Sequence, residues 1–333
     1  MNSFTSLRTQ PLLFAVLLLC LTSLSFSSFA HGVGDHHELV EKQKAVLVTG
    51  SSSGLGLRMT QVLSENGFFV YAGVHKESDR DALKGMENVQ TVRFDVTEQS
   101  EIDEAVKFVE SQGRGLYGLI NNAGIADFGP LNEINVSELQ RLFDVNVYGP
   151  YRVTQAFSPM IIESRGRIAT TGSVAGIATA PMYGLYSMSK HAVEAYTDAL
   201  SMEMARFGVE VSVIEPSFYR SNIGQAAFKR LTETQYWSQD TQYPEERKAV
   251  FARLGTPNTG PDPLAVAEAA LHIMSSDKPK LRYLVTDQVA QTDSAIRSMI
   301  AKTVALNHDQ KYTFDRDALI KILDQELEKL GKQ

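Results

Sequence analysis

Three side chains in the middle of the chain have the types and spacing of an acid–base catalyst for alcohols and ketones. Tyr186 and Lys190 stand four residues apart, so on a helix they share one face. Reduction of a ketone places a proton on the carbonyl oxygen, and an unperturbed tyrosine, with a pKa near 10, releases that proton reluctantly. An ammonium ~4–5 Å away is worth roughly 4 kcal/mol, which predicts that Lys190 brings the pKa of Tyr186 close to neutral. Ser173 could hydrogen-bond the same substrate oxygen.

Asn146 is a fourth candidate, because asparagine is a poor residue for the interior of a helix. A role in fixing a water molecule beside Lys190 would explain its position. Simpler alternatives stay open for the single residues: Asn146 could bond only to backbone, and Ser173 could only cap a loop. The four residues together, in this order along the chain, favour catalysis.

A glycine-rich loop stands between the first predicted strand and the first predicted helix, in the run Thr49–Gly56. Three glycines there allow a tight turn and a close backbone approach to a pyrophosphate, whose charge would face the N-terminus of the helix. An ordinary turn is the alternative, because the spacing is not G-x-G-x-x-G. The candidate cofactor-binding residues of this loop are Gly50, Ser52, Ser53, Gly54, Leu55 and Gly56.

The residues after the second predicted strand bear on the choice between NADP and NAD. Folds that prefer NAD place a carboxylate there for the ribose 2′-hydroxyl. This chain has His75 and Lys76 instead, and the first acid is Glu77. NADP is therefore the favoured cofactor, and NAD stays open because Glu77 could reach the ribose.

Seven short apolar runs alternate with longer stretches of helical period from Lys44 onward. This alternation predicts an α/β fold, a doubly wound parallel sheet with helices on both faces, over residues 44–290. The predicted strands are Ala45–Thr49, Phe69–Gly73, Val89–Phe94, Leu116–Asn121, Arg167–Thr171, Val209–Glu215 and Leu281–Val285. The predicted helices are about Leu55–Asn66, Glu98–Gln112, Val136–Glu163, Gly184–Phe207 and Pro263–Ser276.

With these motifs, the chain resembles the short-chain dehydrogenase/reductase family over about Lys44 to Val285. The matching residues are the run Thr49–Gly56, Asp95, Val96, Asn121, Asn122, Ala123, Gly124, Asn146, Ser173, Tyr186 and Lys190. The resemblance implies a seven-stranded Rossmann-type sheet, an Asn-Ser-Tyr-Lys tetrad, a nicotinamide cofactor and a homodimer or homotetramer. It also implies that Asp95 and Val96 lie near the adenine, that Asn122, Ala123 and Gly124 flank the cofactor, and that Tyr186 and Lys190 contact it.

After the sixth strand the family usually has Pro-Gly and then a threonine, where this chain has Pro216, Ser217 and Ser221. Pro216 and Ser221 are the cofactor contacts expected here, but Ser217 lacks the freedom of glycine at positive φ. The stretch is similar to the branch that contains retinol, hydroxysteroid and 3-hydroxybutyrate dehydrogenases. Residues 217–262 are predicted to form a substrate lid, and their aromatic residues indicate an apolar alcohol or ketone.

The first thirty residues have the pattern of a secretory signal or membrane anchor, with Arg8, an apolar run from Pro11 to Leu24 and small residues up to Ala30. Cleavage after Ala30 and retention as an anchor both stay open. Either outcome predicts an exported or membrane-anchored enzyme, with possible membrane association through residues 11–30. Residues 31–43 are predicted to be a linker, and no metal site is expected.

Composition narrows the choice of partners. The net charge is −7 and there is no basic patch, which argues against nucleic acid. The only cysteine lies in the apolar run, so a cleaved chain has no thiol for disulfides or catalysis.

A helical pattern at residues 291–333 predicts docking on the body or on a twin subunit. A non-catalytic dinucleotide-binding sensor or scaffold, and an epimerase or dehydratase, are the rival functions.

Overall fold

The computed structural model describes residues 43–257 and 259–331. The predicted signal or anchor at residues 1–30 and nearly all of the predicted linker at 31–43 lie outside the described residues. Within the described part, no helix is both long and apolar enough to cross a membrane.

Seven parallel strands form one sheet in the order β3-β2-β1-β4-β5-β6-β7. The strands are β1 Ala45–Thr49, β2 Phe69–Val74, β3 Val89–Arg93, β4 Gly118–Asn121, β5 Arg167–Thr171, β6 Glu210–Pro216 and β7 Arg282–Val285. The chain order reverses at β1 and β4, where open α/β sheets bind their ligands. All seven predicted strands are confirmed, and their ends shift by two residues at most.

Helices cover both faces of the sheet, as the alternating pattern predicts. They are α1 Gly54–Glu65, α2 Gln99–Ser111, α3 Val136–Phe143, α4 Gly149–Ser164, α5 Gly184–Met204, α6 Ile223–Thr234, α7 Pro244–Leu254, α8 Leu264–Ser275, α9 Val289–Asn307 and α10 Arg316–Gly331. Leu47 faces a core shared with α2 and α4, and its neighbours Val46 and Val48 face a core shared with α1 and α8. This alternation is the two-residue period of a strand buried on both sides.

The long helix predicted from Val136 to Glu163 is divided in two. A π-helical turn at Asp144–Tyr148 separates α3 from α4 and contains Asn146. The Asn146 amide donates to the carbonyl of Ile125 and accepts from its N–H, both at 2.9 Å. A side chain bonded in this way to a neighbouring segment stabilises a local widening that sequence periodicity does not reveal.

The C-terminal pattern forms two helices, and their contacts correct one expectation. Lys302 on α9 donates to the carbonyl of Ile177 at 2.6 Å, so α9 lies against the body. The last helix, α10, buries none of its residues. Its apolar side chains Leu323, Leu327 and Leu330 are exposed, so the expectation that this helix docks on the body is wrong. Packing on a twin subunit is not tested by a single chain.

Candidate active site

The turn between β1 and α1 can exist only with glycine at particular positions. Gly50 and Gly54 have φ of +69° and +54°, where a side chain is strained. A Cβ on Gly56 would lie 2.2 Å from the carbonyl oxygen of Gly50. Tight packing of the turn against the first helical turn therefore requires Gly56.

The N-terminus of α1 matches the chemistry of a pyrophosphate. Ser53 is the N-cap residue, yet its side chain does not cap the helix, and the first turn holds no acid. Ser51 is buried and donates to the carbonyl of Val48 at 2.7 Å, while Ser52 is only half-buried. Backbone N–H groups at a helix N-terminus without a capping side chain or carboxylate suit an anion.

Asn122 braces this turn from β4. Its amide donates to the carbonyls of Thr49 and Gly50, at 3.0 and 3.3 Å. The hydroxyl of Thr49 in turn accepts from the N–H groups of Asn122 and Ala123, both at 2.9 Å. Sequence reasoning assigned Asn122 to the cofactor and missed this brace, although the Thr49-Gly50 pair at the end of a strand was a visible signal.

The residues expected at the adenine and ribose end lie together after β2 and β3. His75 Nε2 lies 3.0 Å from Asp95 Oδ2. Burial would raise the pKa of Asp95, but hydrogen bonds from Thr97 and the nearby imidazole outweigh it, and the pKa lies below its usual value. Val96 is buried beside Gly149.

Two charged side chains bear on whether the ribose at the adenine end would carry a 2′-phosphate or a 2′-hydroxyl. One is an exposed lysine, and the other is a glutamate already paired with an arginine. The side chain of Lys76 is exposed. Glu77 pairs with the guanidinium of Arg80, which also donates to the hydroxyl of Thr91 at 2.7 Å. The acid that could have favoured NAD is thus already engaged by a cation.

The four candidate catalytic residues meet at the carboxyl end of the sheet, beside the glycine turn. Asn146 donates to the hydroxyl of Ser189 at 3.1 Å, next to Lys190. A Cβ added to Gly124 would lie 3.3 Å from Asn146 Oδ1 and 3.9 Å from Lys190 Nζ. The Gly124 backbone thus lies close to both side chains, and Asn146 has the backbone-bonding role that was left open above.

The ammonium of Lys190 is buried and held by backbone. Its Nζ donates to the carbonyl of Thr171 at 2.7 Å and lies 5.7 Å from the centre of the Tyr186 ring. Burial lowers the pKa of Lys190 to about 8, although the charge of Glu194 opposes the change. Lys190 therefore begins to lose its charge slightly above neutral pH.

The expected near-neutral pKa of Tyr186 is wrong. Burial raises the pKa of its phenol to about 12, and a hydrogen bond with Ser173 only partly offsets this rise. The cause is burial: the tyrosinate loses more hydration free energy on leaving water than the hydrogen bond with Ser173 returns. Tyr186 therefore holds its proton across the neutral range.

Ser173 both faces Tyr186 and shapes its own turn. Its hydroxyl accepts from the N–H of Ala175 at 3.1 Å and caps the short 3₁₀ turn Val174–Gly176. We call Ser173 and this turn the catalytic turn. The loop-capping alternative for Ser173 is thus true, and it coexists with the contact to Tyr186.

The chain after β6 folds back onto the glycine turn. A Cβ on Gly54 would lie 2.9 Å from Cβ of Ser221, so these two candidate residues are neighbours. Ser217 does not have a positive φ, and its N–H donates to the carbonyl of Val285 at 2.9 Å. Serine therefore fits this position without strain, and the missing glycine does not disturb the backbone there. Pro216 places its carbonyl 3.5 Å from the hydroxyl of Ser173.

Tyr186 packs in a cluster of apolar side chains that we call the apolar wall: Ala126, Phe128, Tyr183, Ile223, Ala227, Phe228, Val250 and Leu254. Phe128 and Tyr183 stack edge to face with ring centres 4.7 Å apart, and they cluster with side chains of α6 and α7. The aromatic residues of the segment 217–262 have mixed roles. Trp237 and Tyr219 are buried packing residues, whereas Phe218 is exposed.

A buried ionic cluster beside this wall was not found from the sequence. Asp127 is fully buried after β4 and pairs with Arg141 of α3, while Nε of Arg230 on α6 lies 3.9 Å away. Glu138 of α3 also pairs with Arg230. Burial raises the pKa of Asp127 to about 6 against the pull of the two arginines. No short motif links these residues, because they lie far apart in the chain.

Comparison with known proteins identifies the family. The short chain dehydrogenase family model matches residues 44–232, and the chain belongs to this family of NAD(P)-dependent oxidoreductases. It is similar to the Escherichia coli K12 oxidoreductase YbbO, with 36% identity over 73% of this chain and 86% of that protein.

Two further similarities agree with this assignment. The mitochondrial D-beta-hydroxybutyrate dehydrogenase of Bos taurus is 31% identical over 72% of this chain and 76% of that protein. The structure of a short-chain dehydrogenase from Streptomyces avermitilis superimposes with a TM-score of 0.68 at 25% identity, over 80% of this chain and 95% of that one. The expected family, fold and enzyme class are confirmed.

Proposed function

We propose that this enzyme interconverts an apolar ketone or aldehyde with the corresponding alcohol, using NADP(H) in preference to NAD(H). The observation that carries the proposal is the meeting of Ser173, Tyr186 and Lys190 beside the glycine turn, with an apolar wall around the phenol. Hydride is supplied by the nicotinamide dinucleotide when it is bound. The residues of this chain bind the reactants and handle the proton.

In the reductive direction, Tyr186 donates its phenolic proton to the carbonyl oxygen. Its raised pKa keeps that proton in place at neutral pH. Ser173 hydrogen-bonds the same oxygen and steadies the developing charge. Lys190 stabilises the tyrosinate that remains, and it does so only while it is an ammonium. Because its pKa is about 8, the rate of reduction falls above that pH.

The backbone of Gly50–Gly56 and the N-terminus of α1 would hold the pyrophosphate. Lys76, with its exposed ammonium, would meet a 2′-phosphate, and Glu77 is drawn away by Arg80. Asp95 and Val96 would flank the adenine, and Asn146 would hold the Ile125 backbone beside Lys190. The segment 217–262 would act as the lid over the substrate, because α6 and α7 supply one side of the wall around Tyr186.

Tyr186→Phe tests the catalytic role directly. We expect turnover to fall by at least ~100-fold, because general acid catalysis by a positioned group contributes about that much or more. Cofactor affinity, followed by nicotinamide fluorescence, should stay within about twofold. Tyr183→Phe is the matched control, since Tyr183 lies in the same apolar wall. Equal turnover in Tyr186→Phe and the wild type would refute the proposal.

Lys76→Ala tests the cofactor preference. Titration of residues 31–333 with NADPH and with NADH should show tighter NADPH binding in the wild type. Loss of the ammonium should weaken NADPH by roughly tenfold, equivalent to about 1.4 kcal/mol, and leave NADH unchanged. Lys84→Ala is the control, because Lys84 is also exposed and directly follows the 3₁₀ helix Glu77–Leu83. Tighter NADH binding by the wild type would overturn the NADP preference alone.

A further inference from the structure

Two carboxylates lie behind the catalytic turn and have no part in the reaction proposed above. Glu194 is on α5, one turn after Lys190, and Glu215 is near the end of β6 and only 2% exposed. Atom Oε1 of each is buried and finds no hydrogen-bond donor among the described residues. An ionised carboxylate can only accept hydrogen bonds, so two ionised carboxylates cannot bond to each other. If one carboxyl keeps its proton, it can donate to the other, and both oxygens then have a hydrogen-bond partner.

Glu194 contacts the catalytic turn from behind. A Cβ added to either Gly172 or Gly176 would lie 3.2 Å from Glu194 Oε1. These two glycines flank Ser173 on either side, so the carboxyl group is packed against the backbone that carries the serine. The charge of Glu194 is also the one that opposes the loss of charge on Lys190.

One arginine serves three carboxylates here. Arg282 of β7 places Nε 3.2 Å from Glu194 Oε2 and 3.7 Å from Glu215 Oε1, and Nη2 2.7 Å from Asp198 Oδ1. The charged groups around Glu194 are thus Lys190 and Asp198 from α5, Glu215 from β6 and Arg282 from β7. A single guanidinium cannot neutralise all three acids, and the two that are largely buried, Glu194 and Glu215, are the ones for which an uncompensated charge is costly.

The electrostatics agree with retention of a proton by the pair. Burial raises the pKa of Glu215 to about 8, and the nearby carboxyl of Glu194 acts in the same direction, against Arg282. Like-charged carboxyl groups in contact cannot both ionise easily, so the first proton lost leaves the second held more tightly.

We propose that Glu194 and Glu215 share one proton behind the catalytic turn, and that Glu194 is a positioning residue for Ser173 and Lys190. The shared proton satisfies both orphan oxygens. The remaining negative charge supports the Lys190 ammonium, and the packed carboxyl group fixes the turn. The positioning role rests on the proposed function, whereas the shared proton does not.

The shared proton is tested by stability against pH, without any assay of activity. A carboxyl with a pKa of about 4.3 when unfolded and raised when folded binds more protons in the folded state between those values. Its contribution to stability is therefore lost as pH rises. We expect the unfolding constant of the wild type to rise by up to ~10-fold per pH unit from pH 6.5 to 7.5. This window lies above the range in which Asp127 titrates and below the pH at which Lys190 is half-deprotonated.

Glu215→Gln should abolish this rise, because the amide donates to Glu194 at every pH. Asp198→Asn, which removes the more exposed partner of Arg282, should keep it. The experiment is chemical denaturation of the full chain from residue 31 in buffers of constant ionic strength. A wild type whose stability does not fall over this range would overturn the shared proton, as would a Glu215→Gln variant with an unchanged slope.

The positioning role is tested by the pH profile of reduction. Glu194→Gln should move the alkaline limb of kcat/KM about one pH unit lower, because the negative charge of the pair then lies on Glu215, and Glu194 is the carboxylate that acts on Lys190. Asp198→Asn should leave the limb in place. An active, folded Glu194→Gln variant with the wild-type limb would overturn the positioning role. A wild type that turns over no ketone would refute the proposed function, and the stability experiment would still decide the shared proton.

Discussion

The glycine turn after β1 and the segment between β6 and α8 border the same site, but different interactions hold them. The turn is fixed by backbone: two glycines at positive φ, a third in contact with a carbonyl, and the amide of Asn122. The segment after β6 is held by its own side chains, which contact other parts of the chain: Arg230 pairs with Glu138, and Tyr236 bonds to the backbone of Phe128.

This difference has a functional meaning. A phosphate group is common to every dinucleotide, so the part that would bind it can be a rigid backbone structure with no tolerance for change. A segment that would cover the substrate must fit one compound among many, and side chains on a segment held by a few pairings can change while the sheet stays the same. The comparison predicts that a substitution in the turn causes a large loss of stability and cofactor binding. Substitutions that disturb the contacts of the segment should cause smaller losses of stability.

Gly56→Ala should have the largest effect. A Cβ 2.2 Å from the Gly50 carbonyl forces the turn to move, at a cost of about 3 kcal/mol or more, and cofactor binding should be lost. Gly224→Ala on α6 is the matched control, since its new Cβ would meet only Leu254 at 3.8 Å. That change should be neutral or stabilising by up to ~1 kcal/mol. Thermal unfolding and nicotinamide fluorescence measure both effects, and comparable losses in the two variants would contradict the comparison.

Arg141→Met should have an intermediate effect. It removes the cation closest to the buried Asp127, at a cost of about 3 kcal/mol at pH 8. The pKa of Asp127 is higher in the folded chain than in the unfolded chain, so its contribution to stability is lost as pH rises. Removal of Arg141 raises this folded-state pKa further. The loss should therefore be smaller at pH 5 than at pH 8.

Arg230→Met is the comparison variant for Arg141→Met. Its Nε lies 3.9 Å from Asp127, and its other partner, Glu138, keeps Arg141 at 3.7 Å when Arg230 is removed. A cost of only about 1 kcal/mol is therefore expected, together with faster proteolysis within residues 217–262, since the pairing that holds α6 is lost. Denaturation at the two pH values checks both variants. An Arg141→Met loss that does not depend on pH would show that Asp127 is not the group left unpaired.

The same contrast explains how much of the molecule was predictable from its sequence. The strands, the glycine turn and the positions of Ser173, Tyr186 and Lys190 follow from local patterns, because each depends on neighbours within a few residues. The π-helical turn at Asn146 and the pairing of Glu194 with Glu215 depend on contacts between distant segments. The pKa of Tyr186 was misjudged for the same reason, since burial is a property of the folded chain.

Lys302→Met should have the smallest effect and extends the comparison to α9. Its ammonium donates to the carbonyl of Ile177 and lies 3.2 Å from Nε2 of His191, the residue that follows Lys190 in the chain. Exposed contacts of this kind contribute less than about 1 kcal/mol, so the melting temperature should fall by no more than roughly 2–4 °C. Amide exchange within α9 should nevertheless quicken. Arg297→Met, which breaks only a pair with Asp293 inside the same helix, is the control and should leave that exchange nearly unchanged. Equal exchange in both variants would mean that buried contacts such as that of Ala295 hold α9 in place, and that this helix depends on packing rather than on one exposed pairing.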